Sequence, residues 1–397
     1  MNHASHSLLQ QTVCSHEMAM LELTRDLIAI PTENPPGNAY AQAVDLLCRR
    51  LRQLGFADTR VEGDCVLSFV GEGERTLYFS GHYDVVPAYT RAQFMPVVRG
   101  ANLFGRGSSD MKSGLAAMIY AAKALHDHGL LRNGRIGLVF VPDEETAGPR
   151  GSRHLADRGL LGKDAIGMLT PEPTGDVIWN ANRGAITLNV TVKGKSAHVG
   201  RQYEGVNAFE GMLRIAQALM GLKAEVEQRI TQFHISPEAA RHSILMLGGR
   251  SGGGANFNTV PDACSFTVDR RINPEEDFDI EKQRLFEILD QAGAGFDLDV
   301  AVLQEGRSSG VSESDSVGQA LVRSIERVTG HAVQFEMCPG LLENRFYAER
   351  GIPAFAYGPG LITVSHGPNE FVPIHRIAEC AEVYVLTAAD LLGPGSV

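Results

Sequence analysis

Apolar residues spaced three and four apart open the chain. This spacing recurs over 18–30 (MAMLELTRDLIAI) and 40–54, and the turn-rich stretch PTENPPGN lies between the two segments. Because residues three and four apart share one face of an α-helix, the pattern predicts two helices joined by a loop.

Three short apolar runs follow, RTLYFSGH, GRIGLVFVP and AIGMLTP. Between the first two lies MKSGLAAMIYAAKALHDHG, which has a strong helical period and ends at Gly129. Runs of this length bounded by Gly and Pro are typical of buried strands. Strand, helix and strand at this spacing predict an α/β fold with a mostly parallel sheet.

The pattern changes at Arg183. ITLNVTVKG, HSILMLGG, CSFTVDRRI and FDLDVAVLQ predict strands, whereas NAFEGMLRIAQALMGL and FDIEKQRLFEILDQAG predict helices. The resulting order, βαββαβ, is typical of a compact α+β domain. Because the α/β pattern returns after this segment, we expect a catalytic domain built from 1–182 and 305–397, with 183–304 inserted into it.

Composition narrows the possible partners. The 397 residues are 44% apolar, which is enough for two cores, and the formal net charge is -11. Nucleic acid or an anionic membrane would require a clustered basic face, so we expect neither as a partner. No run approaches the roughly 20 apolar residues that span a bilayer, and no signal peptide is evident. The six scattered cysteines fit reduced thiols, so we expect a cytoplasmic protein.

Acidic residues and a histidine follow the predicted strands. His82 and Asp84 come after the first run, Glu144 and Glu145 after the second, and Glu172 after the third. In open α/β sheets ligands bind beyond the carboxyl ends of the strands. Asp84 stands two residues after His82, so in an extended segment its carboxylate can hydrogen-bond the ring nitrogen that does not bind a metal.

Five side chains supply the donors that a pair of divalent ions needs. One carboxylate shared by two ions, with two further ligands for each ion, requires five N or O donors. The sequence offers that number without a thiolate, in His82, Asp110, Glu145, Glu172 and His366. Glu144 is left over as a base, since neighbouring carboxylates at a strand end point in different directions.

Each fragment has a simpler interpretation when taken alone. HxD is compatible with a surface pair in a loop, Asp110 with a helix N-cap, the DEE run with a solvated acidic turn, and His366 with a helix-entry or core histidine. The glycine-rich stretch 248–258 is compatible with a flexible hairpin loop or a phosphate cradle. The metal interpretation therefore rests on the order and spacing of all fragments together.

That combination resembles the M20 family of metallopeptidases, which includes acetylornithine deacetylase, succinyl-diaminopimelate desuccinylase, aminoacylases and glutamate carboxypeptidases. The resemblance covers nearly the whole chain, through IPTENPPGN, SGHYDVVP, LFGRGSSDMKSGLAAM, VPDEETAG, TPEPT, GKSAHVGRQYEGVNA and SHGPNEFVPI. It implies a zinc-peptidase-like catalytic domain and an inserted lid domain through which two subunits form a homodimer.

The resemblance also implies how the metal ligands divide. Asp110 bridges two divalent ions. His82 and Glu172 complete one site, and Glu145 and His366 complete the other. Zinc is the usual metal of the family, and cobalt or manganese is often tolerated.

Catalytic roles follow from the same resemblance. Glu144 would carry the proton from water to the leaving amine, and Asp84 would orient His82. His198 in KSAHVG matches a lid histidine, commonly supplied by the partner subunit, that stabilises the oxyanion. Without the resemblance, His198 is a loop histidine on the surface of the small domain.

Three residues match positions that hold a substrate carboxylate in relatives, namely Asn258, Arg271 and Arg345. A guanidinium suits a planar carboxylate. The chain departs from the family where relatives commonly read TDAR, because it has Leu342, Glu343 and Asn344 before the arginine. This departure changes the expected shape of the pocket.

We therefore expect a dinuclear metal-dependent amidohydrolase that removes an acyl group from an N-acyl amino acid or a related small amide bearing a carboxylate. One alternative is a dipeptidase or glutamate-type carboxypeptidase, and another is a hydrolase of a less usual C–N bond, on an aromatic amine or a carbamoyl group. A non-catalytic binding protein is disfavoured, since Glu144 accompanies all five ligands.

Overall fold

The computed structural model describes residues 3–393, with side chains from Leu8 onward. The chain divides into two compact units. Unit 1 comprises Met1–Asn180, Val311–Glu336 and Glu343–Val397, and unit 2 comprises Ala181–Gly310 and Met337–Leu342. The domain boundaries expected from the sequence stay a prediction.

The helices and strands alternate along much of the described chain. The helices are α1 His3–Ser15, α2 Glu17–Ile28, α3 Tyr40–Gln53, α4 Lys112–Asp127, α5 Ser152–Asp157, α6 Ala208–Val226, α7 Phe278–Gly293, α8 Ser316–Thr329, α9 Asn344–Ala348 and α10 Ile374–Leu392. The strands are β1 Asp58–Glu62, β2 Cys65–Gly71, β3 Thr76–His82, β4 Val97–Arg99, β5 Asn102–Phe104, β6 Arg135–Val141, β7 Ala165–Thr170, β8 Val177–Asn182, β9 Gly184–Lys193, β10 Ile244–Gly253, β11 Ala263–Ile272, β12 Asp297–Gly306, β13 Ser309–Gly310, β14 Gln334–Cys338, β15 Ala354–Ala356 and β16 Phe371–Pro373.

A large central sheet organises unit 1. Its strands follow the order β1-β2-β6-β3-β7-β15-β8, and the four strands β6, β3, β7 and β15 run parallel to one another. All seven residues of β3 are buried, as expected for a central parallel strand covered on both faces. The predicted α/β fold with a mostly parallel sheet is therefore confirmed. The antiparallel edge of β1 and β2 is an addition that the apolar pattern does not predict.

Helix α4 links the sheet to the segments that carry the acidic residues. It ends in a Schellman motif, in which Gly129 N–H donates to His126 O at 3.0 Å and Leu130 N–H donates to Leu125 O at 3.1 Å. Near its start, a Cβ on Gly114 would lie 2.3 Å from Cβ of Pro171. Only glycine permits this approach, which brings the first turn of α4 against the residue that precedes Glu172.

Unit 2 contains an antiparallel sheet in the order β10-β11-β9-β12. Every second residue of β9 is buried, and Leu188, Val190 and Val192 form a core with apolar residues of α6 and α7. Along the chain these elements follow the predicted order, βαββαβ. The alternation of apolar and polar residues predicts these strands because one face of this sheet is buried.

Candidate metal centre

Three neighbouring strands of unit 1 end beside one another. His82 is the last residue of β3 and is paired with Val141, the last residue of β6. Glu144 and Glu145 follow β6 within four residues, and Glu172 follows β7 within two. The carboxyl ends of parallel strands meet at one edge of a sheet, so the strand register itself gathers these side chains.

Asp110 lies in two groups of possible metal ligands. The first donor group is His82, Asp110 and Glu172, and the second donor group is Asp110, Glu145 and His366. In each group the possible ligand atoms lie within 4.8 Å of one another. Asp110 Oδ1 is 3.2 Å from His82 Nε2. Asp110 Oδ2 is 3.3 Å from His366 Nε2, which is 3.2 Å from Glu145 Oε2. One carboxylate therefore faces both groups.

The first donor group has the chemistry of a metal site. His82 Nε2, Asp110 Oδ1 and Glu172 Oε1 are buried and have no hydrogen-bond partner within the described part of the chain. Buried polar atoms without partners are costly, and a divalent cation would satisfy all three. Imidazole nitrogen and carboxylate oxygen are also donors that zinc accepts.

Two of the simpler interpretations, the surface HxD pair and the Asp110 cap, do not describe this structure. Asp84 is fully buried, which excludes a surface pair. Asp110 does not cap α4, whose N-cap residue is Met111. His366 has a backbone φ of +64°, in the left-handed region that non-glycine residues rarely adopt. Strain of this kind is frequent at ligand-binding positions.

Asp84 connects several residues of the centre. Its main-chain oxygen lies 3.0 Å from His82 Nδ1. Its carboxylate accepts hydrogen bonds from Glu144 N–H and Glu145 N–H, each at 3.3 Å. Asn34 Nδ2 also donates to Asp84 Oδ2, at 2.9 Å. The carboxylate therefore fixes the turn that carries the two glutamates, a role beyond the expected orientation of His82.

Burial dominates the electrostatics of the glutamates. Burial raises the pKa of Glu144 well above its usual range, His82 opposes this shift, and the charges of Glu172 and Glu145 add to it. Burial likewise raises the pKa of Glu172, with a further contribution from Asp110. Glu144 Oε2 lies 3.8 Å from His82 Nε2, so a carboxyl with a raised pKa stands at the edge of the first donor group.

The surroundings of His366 and Asp110 instead favour the charged forms of these two side chains. Contacts with Asp110 and Glu145 raise the pKa of His366 to about 11. Burial favours the neutral form of Asp110, but contacts with His366 and His82 outweigh it and lower the pKa of this carboxyl. The centre therefore favours a protonated histidine beside an ionised Asp110, an arrangement in which a divalent cation can replace protons.

Two buried residues beside the centre, Glu370 and Arg106, were not predicted from the sequence. Glu370 is 2% exposed and accepts a hydrogen bond from Asp110 N–H at 3.1 Å. Arg106 is 1% exposed and donates to Glu370 Oε2 at 2.6 Å. The only signal for Glu370 was its place at the end of the SHGPNE motif, four residues after His366.

Unit 2 brings together two of the predicted residues. His198 is exposed, and its Nδ1 accepts a hydrogen bond from Gly200 N–H at 3.1 Å. Asn258 accepts a main-chain bond from Val199, the residue after His198, at 2.9 Å. Arg271 is partly exposed and is paired with Asp269 at 2.8 Å. The roles of these residues toward a substrate stay predictions.

Arg345 lies in unit 1 with little exposure. Its side chain is 2% exposed and lies 3.1 Å from Glu343 Oε1. Its guanidinium carbon also stands 4.3 Å from the centre of the Phe346 ring. Glu343, the acidic residue of the unusual Leu342–Asn344 segment, therefore pairs with Arg345, which was expected to bind a substrate carboxylate.

Comparisons with known proteins agree on one family. The model of peptidase family M20/M25/M40 matches residues 78–390. Succinyl-diaminopimelate desuccinylase of Bordetella petrii is 29% identical over 392 residues, which cover 95% of this chain and 99% of that protein. Separately, no helix within residues 3–393 is long and apolar enough to cross a membrane.

Solved structures share the fold. An M20 family metallo-carboxypeptidase from Sulfolobus solfataricus superposes with a TM-score of 0.80 at 18% identity, covering 93% of this chain and 98% of the other. A dinuclear metal-binding peptidase of the M20 family from Bacillus subtilis gives a TM-score of 0.67 at 14% identity, covering 95% and 99%. The family model matches residues 78–390, well over half of the chain, so the chain belongs to peptidase family M20/M25/M40.

Proposed function

We propose that this metal-dependent hydrolase of C–N bonds removes an acyl group from an N-acyl amino acid or a related small amide that carries a carboxylate. The observation that carries the proposal is the pair of donor groups that share Asp110, with the buried Glu144 beside them. The name of the Bordetella petrii relative, a desuccinylase, supports removal of an acyl group.

The two donor groups would hold two divalent ions, zinc or alternatively cobalt or manganese. His82 and Glu172 would complete one site around Asp110, and Glu145 and His366 would complete the other. When bound, such ions act as Lewis acids toward the amide carbonyl and toward water. The buried and unpartnered atoms of the first donor group support this assignment.

Glu144 is the proton carrier in this proposal. It would accept a proton from the attacking water and deliver it to the nitrogen of the leaving amine. Its burial supports this role, because a carboxylate with a raised pKa is a stronger base toward water than an ordinary glutamate. The bond from Glu144 N–H to Asp84 keeps the carboxyl beside His82.

Recognition of the substrate is assigned to unit 2. His198 would donate to the developing oxyanion, and Asn258 and Arg271 would hold the substrate carboxylate. Arg271 is partly exposed, whereas Arg345 is buried and paired with Glu343, so the burial favours Arg271 and Asn258 for direct contact. The expected role of Arg345 in binding would then require it to part from Glu343.

Unit 2 also carries the surface proposed to form a homodimer. Phe209, Leu213 and Met220 of α6 are 43%, 50% and 52% exposed, and Met246 of β10 is 48% exposed. Strand β10 lies at an edge of its sheet, where another strand can add. Leu213→Glu should lower the mass in light scattering from that of a dimer to that of a monomer. An unchanged dimeric mass would exclude this surface.

The function is tested by measuring release of free amine from N-acetyl, N-succinyl and N-carbamoyl amino acids and from dipeptides. The metal-loaded protein should turn over one acyl class. Glu144→Gln should lose about 10²–10⁴-fold in kcat while its metal content stays unchanged, because only the proton carrier is removed. Glu74→Gln, an exchange at an exposed residue, serves as the control.

The outcomes separate the alternatives. Hydrolysis of dipeptides alone would favour a dipeptidase, and hydrolysis of N-carbamoyl compounds alone would favour the less usual C–N bond. Binding of two metals without turnover of any compound would overturn the acyl assignment. Unchanged kcat in Glu144→Gln would remove Glu144 from the mechanism.

A further inference from the structure

The carboxylate of Glu370 gathers the turn that carries Asp110. Its Oε1 atom accepts hydrogen bonds from Gly107 N–H at 2.9 Å, Ser109 N–H at 3.0 Å and Asp110 N–H at 3.1 Å. Three main-chain donors that converge on one carboxylate oxygen fix the path of a loop more firmly than a single contact. Glu370 therefore determines where the backbone of Asp110 lies.

Arg106 ties the same carboxylate to the loop of His366. It donates from Nη1 to Glu370 Oε2 at 2.6 Å and from Nη2 to the main-chain oxygen of His366 at 3.1 Å. The preceding residue makes a further bond in the same direction, since Gly105 N–H donates to Glu370 O at 3.1 Å. The Arg106–Glu370 pair therefore joins the two loops that carry Asp110 and His366.

Apart from Asp110, which both donor groups share, the ligands lie on different kinds of segment. In the first donor group, His82 ends a fully buried strand and Glu172 follows another strand closely. In the second donor group, His366 lies on a loop with a backbone φ of +64° and a side chain that is 49% exposed. A loop in such a conformation needs outside support to hold a ligand in place.

We propose that Glu370 is a positioning residue that sets the geometry of the second donor group and thereby the affinity of its ion. The proposal rests on the proposed two-metal function. Glu370 touches neither substrate nor ion; it acts through the turn of Asp110 and, with Arg106, through the loop of His366. Its loss should weaken the second equivalent of metal more than the first.

The test is a titration of the metal-free, full-length protein with Zn²⁺ in competition with a chromophoric chelator. The wild type should bind two equivalents. Glu370→Gln keeps the size of the side chain but directs an amide toward Arg106, and its second equivalent should weaken by about tenfold to a hundredfold. The first equivalent should stay within about threefold of the wild type. Glu370→Asp, which keeps the charge but is shorter by one methylene group, should show the same selective loss.

Glu382→Gln is the matched control. Glu382 is 7% exposed on α10, accepts a hydrogen bond from Gln10 and lies outside both donor groups, so the variant makes the same change of charge. Its two equivalents should bind as in the wild type. A wild type that binds no second equivalent would overturn the two-metal function itself.

Three results would contradict the positioning role of Glu370. Equal weakening of both equivalents in Glu370→Gln would mean that Glu370 acts on Asp110, which both donor groups share, and would overturn its selective role at the second group. Wild-type affinity in Glu370→Asp would mean that the charge alone suffices. Unchanged affinities together with a lower thermal midpoint would make the Arg106–Glu370 pair purely structural.

Discussion

The Oδ1 atom of Asp84 lies 3.4 Å from Nδ1 of His82, and Nε2 of the same ring faces Asp110. The main-chain oxygen of Asp84 stands closer still to Nδ1, at 3.0 Å. Two oxygens beside Nδ1 favour the tautomer in which this nitrogen carries the proton. The lone pair of Nε2 then faces the other ligand atoms of the first donor group, where an ion would bind.

Asp84→Asn should weaken metal binding and activity together. Glu144 N–H and Glu145 N–H donate to different oxygens of Asp84, and the substitution replaces one of these oxygens with an NH2 donor, so one of the two bonds is lost. We expect a loss of about 10–100-fold in metal affinity, the usual consequence of removing such a partner. Titration of the metal-free protein with Zn²⁺ measures it.

Asp164→Asn is the control for this substitution, because Asp164 is a partly exposed acid beside Arg135 and away from the donor groups. It should bind metal as the wild type does. If Asp84→Asn binds both equivalents normally and loses only kcat, Asp84 acts on Glu144 rather than on the metal ligands.

The residues of the centre that were predictable are those tied to strand ends. His82, Glu145 and Glu172 follow apolar runs whose periodicity identifies them as parallel strands, and the topology of such sheets brings their ends together. Asp110 and His366 lie on loops, so they became candidates through motif spacing rather than through periodicity. The structure gathers all five in the two donor groups.

The roles of other residues depend on the fold rather than on the pattern of the sequence. Glu370 acts by accepting main-chain bonds, and main-chain donors are the same at every residue except proline. Arg345 was expected to face a substrate, but its burial against Glu343 depends on tertiary packing that a motif does not encode. Motif spacing identifies which residues meet, whereas exposure and pairing require the fold.

Metal binding should release protons. Contacts with Asp110 and Glu145 raise the pKa of His366 to about 11, so the metal-free centre holds a proton on this histidine at neutral pH. A cation must displace protons from its ligands. We expect at least one proton released per two Zn²⁺ at pH 7, and an apparent affinity that falls as the pH is lowered.

Calorimetric titration in two buffers of different ionisation enthalpy measures this release. His331→Ala removes an exposed histidine outside the donor groups and should leave the number of released protons unchanged. Heats that are identical in the two buffers would show that no proton leaves the centre, and the protonated state of the metal-free site would then be wrong.

Unit 2 should lose stability in acid through Glu276. This carboxylate contacts Arg270, accepts from Arg229 Nη1 at 2.6 Å and accepts from Asn273 N–H at 2.9 Å. Burial opposes ionisation, but Arg270 and the hydrogen bonds outweigh it, so the pKa of Glu276 lies below its ordinary value of 4.5. The unfolded chain then binds more protons than the folded one in acid, and the free energy of unfolding falls as the pH drops below about 4.5.

Glu276→Gln should flatten this dependence, because the amide does not titrate. At pH 6 the variant should be less stable by about 1–3 kcal/mol, since Arg270 loses one of its two carboxylate partners while Glu281 remains. Hydrogen exchange of peptides from β11 and α7, followed from pH 3.5 to 6, reports on unit 2 directly. Glu287→Gln, at an exposed position of α7, should keep the slope of the wild type. An equal slope in Glu276→Gln would assign the acid sensitivity to other carboxylates, because a group that no longer titrates cannot contribute to it.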